Sequence, residues 1–277
     1  DFTGSQPQAP GPINSGRTGL DAGVRSAFKA LTDPAIPVNE GCFRPLRVIC
    51  PDGTLFTAQR PAPVATYWET AEYVTDLVWH ALAPHMPDPE RLPAGHFTCV
   101  CSTALTGTHP RTGELYLLVE PQAGGWGAGR TRDGVSGQFC AGDGETYNIP
   151  VEVAETRYGV RVSQYALQND GAGAGRFRGG LGLIRDYEMT GDEAYLTASF
   201  GRYHFVPWGL DGGGPGSANR IEIIRRDGTR TMHGKVARLR LERGDVARLI
   251  TGTGGGCGDP RLRPAEQVAA DVRDEYI

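Results

Sequence analysis

Two carboxylates, one arginine-bearing glycine loop and one His/Cys cluster are the residues of this sequence that could do chemistry. Glu120 ends an alternating run, "ELYLLVEP", and abuts the loop "PQAGGWGAG"; Asp133 follows in "TRDG". A carboxylate at a strand end beside a glycine loop suits a general base or a substrate anchor. Its bland alternative is a solvated turn carboxylate or an arginine partner. Glu152 and Glu155, in "NIPVEVAE", carry the same two readings.

The stretch "GAGAGRFRGGLG", residues 171 to 182, places Arg176 and Arg178 among six glycines. Glycine loops with cations often cradle phosphates. A dinucleotide fingerprint needs G-x-G-x-x-G opening a helix. Here the third position falls on Arg176 or Arg178, and the residues that follow alternate like a strand. The only Gly-Lys, Gly234-Lys235, precedes Val236, so no Walker loop is present. The expectation is a tight connection between strands, with Arg176 or Arg178 free to grip a carboxylate or phosphate as the alternative.

His96, Cys99, Cys101 and His109 are ligand types for zinc, but the Cys-x2-Cys spacing of common zinc sites is missing. Cys-x-Cys in a strand puts both thiols on one face, often the buried one. No metal site is therefore assigned. There is no G-x-S-x-G elbow, and residue 1 is Asp, so no N-terminal nucleophile is offered. Cys257, flanked by glycines, is read as an inert thiol, with reactivity as its alternative. Asn39 and Arg44 in "NEGCFRP" read as a turn, with substrate positioning as the alternative. His204 sits in "GRYHFVPWGLDGGGPG", a glycine-rich loop suited to line a pocket or a subunit contact.

The elements that must hold these residues are mostly short strands. The runs 46–51, 114–121, 160–167, 181–189, 194–200, 220–234 and 236–252 alternate or are rich in β-branched residues. Asp227-Gly228 marks a hairpin, and Arg243-Gly244-Asp245 reads as another. Helical spacing appears at 19–31, at about 67–83, where Thr66 and Glu69 form a capping-box pattern, and from about Pro264 onward. Successive strands with short turns predict an α+β fold, mostly antiparallel, with about three helices and glycine-rich connections. The expected division is a Pro/Gly-rich start plus helical segment over 1–113 and a β-rich segment with a C-terminal helix over 114–277.

The net charge of -4 gives no sign of a nucleic-acid or polybasic membrane partner. Six sparse cysteines do not form a disulfide framework, and no apolar run is long enough to span a bilayer. The reading is a reduced, cytoplasmic protein. The chain starts without Met and ends in a helix-like run, so it reads as a segment of a longer polypeptide truncated at both ends.

Eight motifs then occur in order: "DFTGSQPQ", "PVNEGCFRP", "EPQAGGWGAGRTRDG", "NIPVEVAE", "RFRGGLGLIRDYE", "PWGLDGGGPG", "GDVARLITGTGGGCGDPR" and "AEQVAADV". Together they resemble the hydantoinase B / 5-oxoprolinase family, which includes the B-type components of N-methylhydantoinases and the alpha components of acetone-type carboxylases. The resemblance implies one part of an ATP-dependent cyclic-amide hydrolase, with an alpha-type component of a ketone carboxylase or a non-catalytic scaffold as alternatives. It implies a hetero-oligomer with a hydantoinase A-like partner that binds ATP. It also implies that a divalent metal sits on His and Asp residues of the family's N-terminal half, which this chain does not match. No cofactor is assigned to this segment. Glu120 and Asp133 are the acid–base or anchoring candidates; Asn39, Arg44, Arg178 and His204 are the substrate-binding or positioning candidates. Two departures stand out: Cys257 takes an aromatic position, and "NDGAGAG" replaces the usual Asp-Ser-Gly-Gly-Ala-Gly.

Overall fold

The computed structural model describes residues 1–86, 92–144, 146–168 and 171–277. It forms two compact units, Asp1–Leu92 and Pro93–Ile277. The division falls before the 113/114 boundary expected from composition. The reason is the strand Ser102–Thr108, which belongs to a sheet of the second unit.

The first unit is built on α1 (Arg17–Leu31) and α2 (Tyr67–Leu82). Leu20, Val24, Phe56 and Val74 form its core. Leu20, Val24 and Leu31 recur at helical spacing and are buried together, as the periodicity predicts. Gly23 lets α1 approach α2 closely, because a Cβ there would meet the Ala71 carbonyl and Val74. Two expectations fail here. Thr66 does not cap α2; its hydroxyl donates to the Pro12 carbonyl at 2.8 Å instead. Residues 46–51 form no strand. Leu46, Val48 and Cys50 pack on the helical core, and among the described residues no strand of this unit lies alongside to complete a ladder.

The second unit holds two antiparallel sheets. One has the order β2-β1-β5-β8, from β1 (Ser102–Thr108), β2 (Leu115–Glu120), β5 (Glu193–Ser199) and β8 (Lys235–Glu242). The other has the order β3-β4-β9-β6-β7, from β3 (Val160–Gln168), β4 (Gly182–Met189), β6 (Arg220–Ile224), β7 (Arg230–His233) and β9 (Val246–Ile250). Inward residues of both sheets, among them Leu105, Leu118, Leu196, Tyr187, Ile221 and Leu249, share one core. Leu196→Ala here costs about 2–5 kcal/mol.

The expected α+β class holds, with four α-helices among the described residues. The additional helix is α3 (Val151–Arg157), too short for its periodicity to show in sequence; α4 (Ala265–Arg273) is the expected C-terminal helix. The central strand β1 was not expected, since "STALTGT" carries only one large apolar residue. Asp227-Gly228 does close a hairpin between β6 and β7. Arg243-Gly244-Asp245 does not. Gly244 turns the chain at φ +86°, but β8 pairs with β5 while β9 pairs with β4 and β6, so this turn passes between sheets.

Glycine-rich extended segments hydrogen-bond to one another outside the named strands. Gly125 donates to Gly252, Ala128 to Gly255, Gly180 to Trp126, Gly254 to Gly180 and Gly173 to Gly254. The backbones lie too close for side chains: a Cβ on Gly179 would overlap the Gly254 carbonyl. That close approach, more than any turn, explains why glycine fills these positions.

Candidate functional site

Two arginine–carboxylate constellations form around the residues that the sequence singles out. The first surrounds Glu120. Along β2, Tyr116, Leu118 and Glu120 point inward, as period-2 geometry requires, so Glu120 is carried into the core. Its carboxylate accepts from the Ile149 amide, Asn148 Nδ2 (3.4 Å), the Tyr187 hydroxyl and Arg185 Nη1, which lies 3.2 Å from its nearer oxygen. Arg185 is 1% exposed and lies between the Tyr165 and Tyr187 rings, at 4.8 and 5.0 Å. Burial, with the Glu120 charge behind it, holds the Tyr187 phenol far above its ordinary range, so it stays a donor. Glu120 was expected to face a loop as a base or anchor. It instead sits in a closed network whose donors already occupy both oxygens. Arg185 and Tyr187 were missed in sequence. The available signal was an arginine inside an apolar alternating run, "LGLIRDYEM".

The second constellation joins two expected residues, Asp133 and Arg178, to two unexpected ones, Arg263 and Asp271. Asp133 accepts the Arg178 amide at 2.9 Å and both Nη atoms of Arg263 at 2.8 and 2.9 Å. Asp271 of α4 accepts Arg178 Nε at 3.0 Å and Arg263 Nη2 at 2.6 Å. The Arg178 guanidinium also lies 3.7 Å from the centroid of the Tyr276 ring. Burial tends to raise the Asp133 pKa, but the Arg263 side chain and the Arg178 amide outweigh it, and the net shift is downward. Arg263 shifts upward, chiefly through its bond to Asp133, in agreement. Arg178 thus holds the C-terminal helix.

From Arg176 to Leu181 the glycine loop does not suit a phosphate. Every amide from Arg176 to Leu181 donates within the protein, to Gly258, Cys257, Asp133, Gly173, Trp126 and Ser136 in turn. A phosphate cradle needs such donors free. Among the described residues, no three His, Cys, Asp or Glu side chains converge to hold a metal. His96 is buried against Trp126, and its Nδ1 accepts the Gly127 amide at 2.8 Å, which puts the proton on Nε2. Burial, then the Arg202 charge, lowers its pKa to about 3, so the ring is neutral. His109 Nδ1 accepts the Arg111 and Thr112 amides and shapes a turn. Cys99 and Cys101 are buried, though they precede β1 instead of lying in it. Cys257 is buried, and burial pushes its thiol up to about 11, which disfavours the reactive thiolate.

The remaining candidates do not join either constellation. Asn39 is exposed and accepts the Gly41 amide at 2.8 Å, capping a 3-10 turn over Glu40–Phe43; Arg44 ends that turn and is exposed. His204 is exposed and makes an edge contact with Tyr203. Glu155 accepts the Val162 amide at 2.9 Å and ties α3 to β3. Three open grooves of the second unit are lined by residues such as His109, Tyr195, Arg161 and Arg225, and none of the three includes Glu120, Asp133 or Arg178.

The hydantoinase B/oxoprolinase family profile matches residues 1–260. The chain belongs to this family. The B-type component of a putative D-/L-hydantoinase from a Pseudomonas species is 28% identical over all of this chain and 47% of its own length. The crystal structure of an ATP-dependent caprolactamase from Pseudomonas jessenii superposes with a TM-score of 0.84 at 29% identity, covering 99% of this chain and 48% of that one. A nucleotide-free acetone carboxylase shares the fold, with a TM-score of 0.82 at 18% identity over 96% of this chain and 40% of its own. The present chain spans about half the length of these relatives. Among its described residues, no helix is long and apolar enough to cross a membrane.

Proposed function

We propose that this chain is one part of an ATP-dependent cyclic-amide hydrolase of the hydantoinase/5-oxoprolinase type, working with a hydantoinase A-like ATP-binding partner. The observation that carries the reading is the likeness to the ATP-dependent caprolactamase over nearly the whole chain. The site geometry supports a division of labour. The amides from Arg176 to Leu181 already donate within the protein and Arg178 is already paired with Asp271, which supports placing nucleotide and metal on other parts of the assembly. ATP there activates the amide carbonyl for attack by water. This chain's residues act by positioning. Glu120 and Arg185 fix the 148–150 segment against β4, while Asp133 and Arg178 hold the glycine segment and α4 in register.

The test is turnover by the assembled enzyme. The full-length protein is purified with its hydantoinase A-like partner and given ATP with hydantoin, 5-oxoproline or caprolactam. Ring opening coupled to ADP release is the expected result. Carboxylation of a ketone without lactam hydrolysis sinks the reading in favour of a carboxylase. Ring opening without nucleotide sinks its ATP dependence.

A further inference from the structure

Sheet edges invite pairing with other chains, and natural proteins blunt them with charges, bulges or short strands. Among the described residues, three of the four edge strands carry such devices. β8 presents exposed Lys235, Arg238 and Arg240, and its register with β5 breaks between Leu196 and Ala198. β7 is only four residues long. β3 has a register break between Val162 and Gln164 and an exposed Arg161.

β2 has none of these. Its ladder with β1 is unbroken from Thr103↔Glu120 to Thr108↔Leu115, and its other edge is unpaired among the described residues. Its only charge, Glu120, is turned inward and neutralised by Arg185. Its outward face is apolar throughout: Leu115 is 86% exposed, Leu117 58% and Val119 54%. An open groove runs over the same face of the sheet, beside Thr106, Thr108 and Tyr195. Isolated exposed leucines need no explanation, but a contiguous row on an undefended edge does.

We propose that β2 is a docking edge, and that its occupant is an extended segment of the half of the family chain that this chain does not contain. The caprolactamase supplies the reason: its chain matches this one over 48% of its length, so as much chain again is present beside the shared fold. The occupant adds as a strand to β2, through main-chain hydrogen bonds. Its apolar residues alternate to cover Leu115, Leu117 and Val119. The assignment rests on family membership and not on the substrate, so it stands or falls apart from the turnover assay.

The test is a photoreactive benzoylphenylalanine at Leu117, with a second variant at Leu115, in the full-length protein purified from its own cells with its native partners. Both side chains face solvent, so neither change removes a core contact. The expected product is a cross-link to an extended segment of the remaining half of the family chain, lost when the probe is moved to Arg161 on β3. Amide exchange along β2 is expected to be slow in that assembly and fast in the 277-residue chain alone. A cross-link to a second copy of this chain or to the ATP-binding partner overturns the assignment. So does an absent cross-link with fast β2 exchange in the assembly.

Discussion

Glu120 and Asp133 are both carboxylates beside glycine loops, and both are held by arginines, yet they stabilise different things. Glu120 and Arg185 are each about 1% exposed and are enclosed by Tyr187, Tyr165 and the Ile149 amide. Asp133 is nearly a third exposed, and the helix its cluster holds, α4, buries only Asp271. Around Glu120, charge is embedded in an apolar core that would hold without it. At α4, charge replaces a core: Val268 and Val272 remain in solvent while the ion pairs and the Tyr276 ring make the attachment. A buried pair therefore punishes the loss of one partner, whereas the surface cluster controls where one helix lies.

Breaking the enclosed pair has the largest expected effect. Arg185→Met leaves the Glu120 charge buried without its counter-ion and costs about 3–5 kcal/mol, read from urea denaturation. Adding Glu120→Gln to it removes the charge but keeps an acceptor for the Ile149 amide, and recovers part of the loss. Strictly additive losses are incompatible with a coupled network. In the complete enzyme, Glu120→Gln alone is expected to lower stability more than kcat. A loss of kcat at unchanged stability restores Glu120 as an acid–base group.

Asp271→Asn sharpens the contrast. Bonds to charged groups contribute about 1.5–3 kcal/mol, and here the loss is local. Amide protection of α4 is expected to fall while that of β4 and β9 is unchanged, as hydrogen exchange can resolve. Equal loss across the sheets makes the cluster part of the global core.

His96 tests a third way of burying a polar group, as a neutral ring. Its folded pKa of about 3 lies below the ordinary 6.5, because burial disfavours the cation. As pH falls from about 6.5, the unfolded chain takes up a proton that the folded chain refuses, so stability declines by up to about 1.4 kcal/mol per pH unit. His96→Asn retains an acceptor for the Gly127 amide and is expected to flatten that slope between pH 6.5 and 5. An unchanged slope assigns it to other groups.

What the sequence disclosed and what it withheld follow from the same physics. The long alternating runs, the Asp227-Gly228 hairpin and α1 were readable because each is decided by neighbours in the chain. β1 was not, because "STALTGT" is made a strand by β2 and β5 on either side. The 46–51 run reads as a strand locally, but among the described residues it has none to pair with. Asp133 and Arg178 were singled out separately, and their partners lie 130 and 93 residues away along the chain. No local spacing reports such a pairing. The glycine loop was read correctly as a connection, but its cause, amides and carbonyls of several segments packed against one another, is visible only in three dimensions.

Acid is expected to open the α4 cluster with the smallest effect of the series. Asp133 is partly exposed, so solvent screens its pairing. Burial pushes its pKa up, while the Arg263 side chain and the Arg178 amide pull it down further, leaving it below the ordinary carboxylate value. A carboxylate depressed on folding stabilises the fold above the unfolded value of about 3.9, and that contribution disappears as pH drops through the lower folded value. Carboxyl-carbon NMR of Asp133 is expected to give an acid midpoint below that of an unfolded aspartate. Protection of α4 should fall with the same midpoint, because Asp133 steadies Arg263, and Arg263 holds Asp271. If Asp133 titrates at the ordinary value, or α4 loosens at a different pH, the two carboxylates act independently. The helix is then held by Asp271 alone.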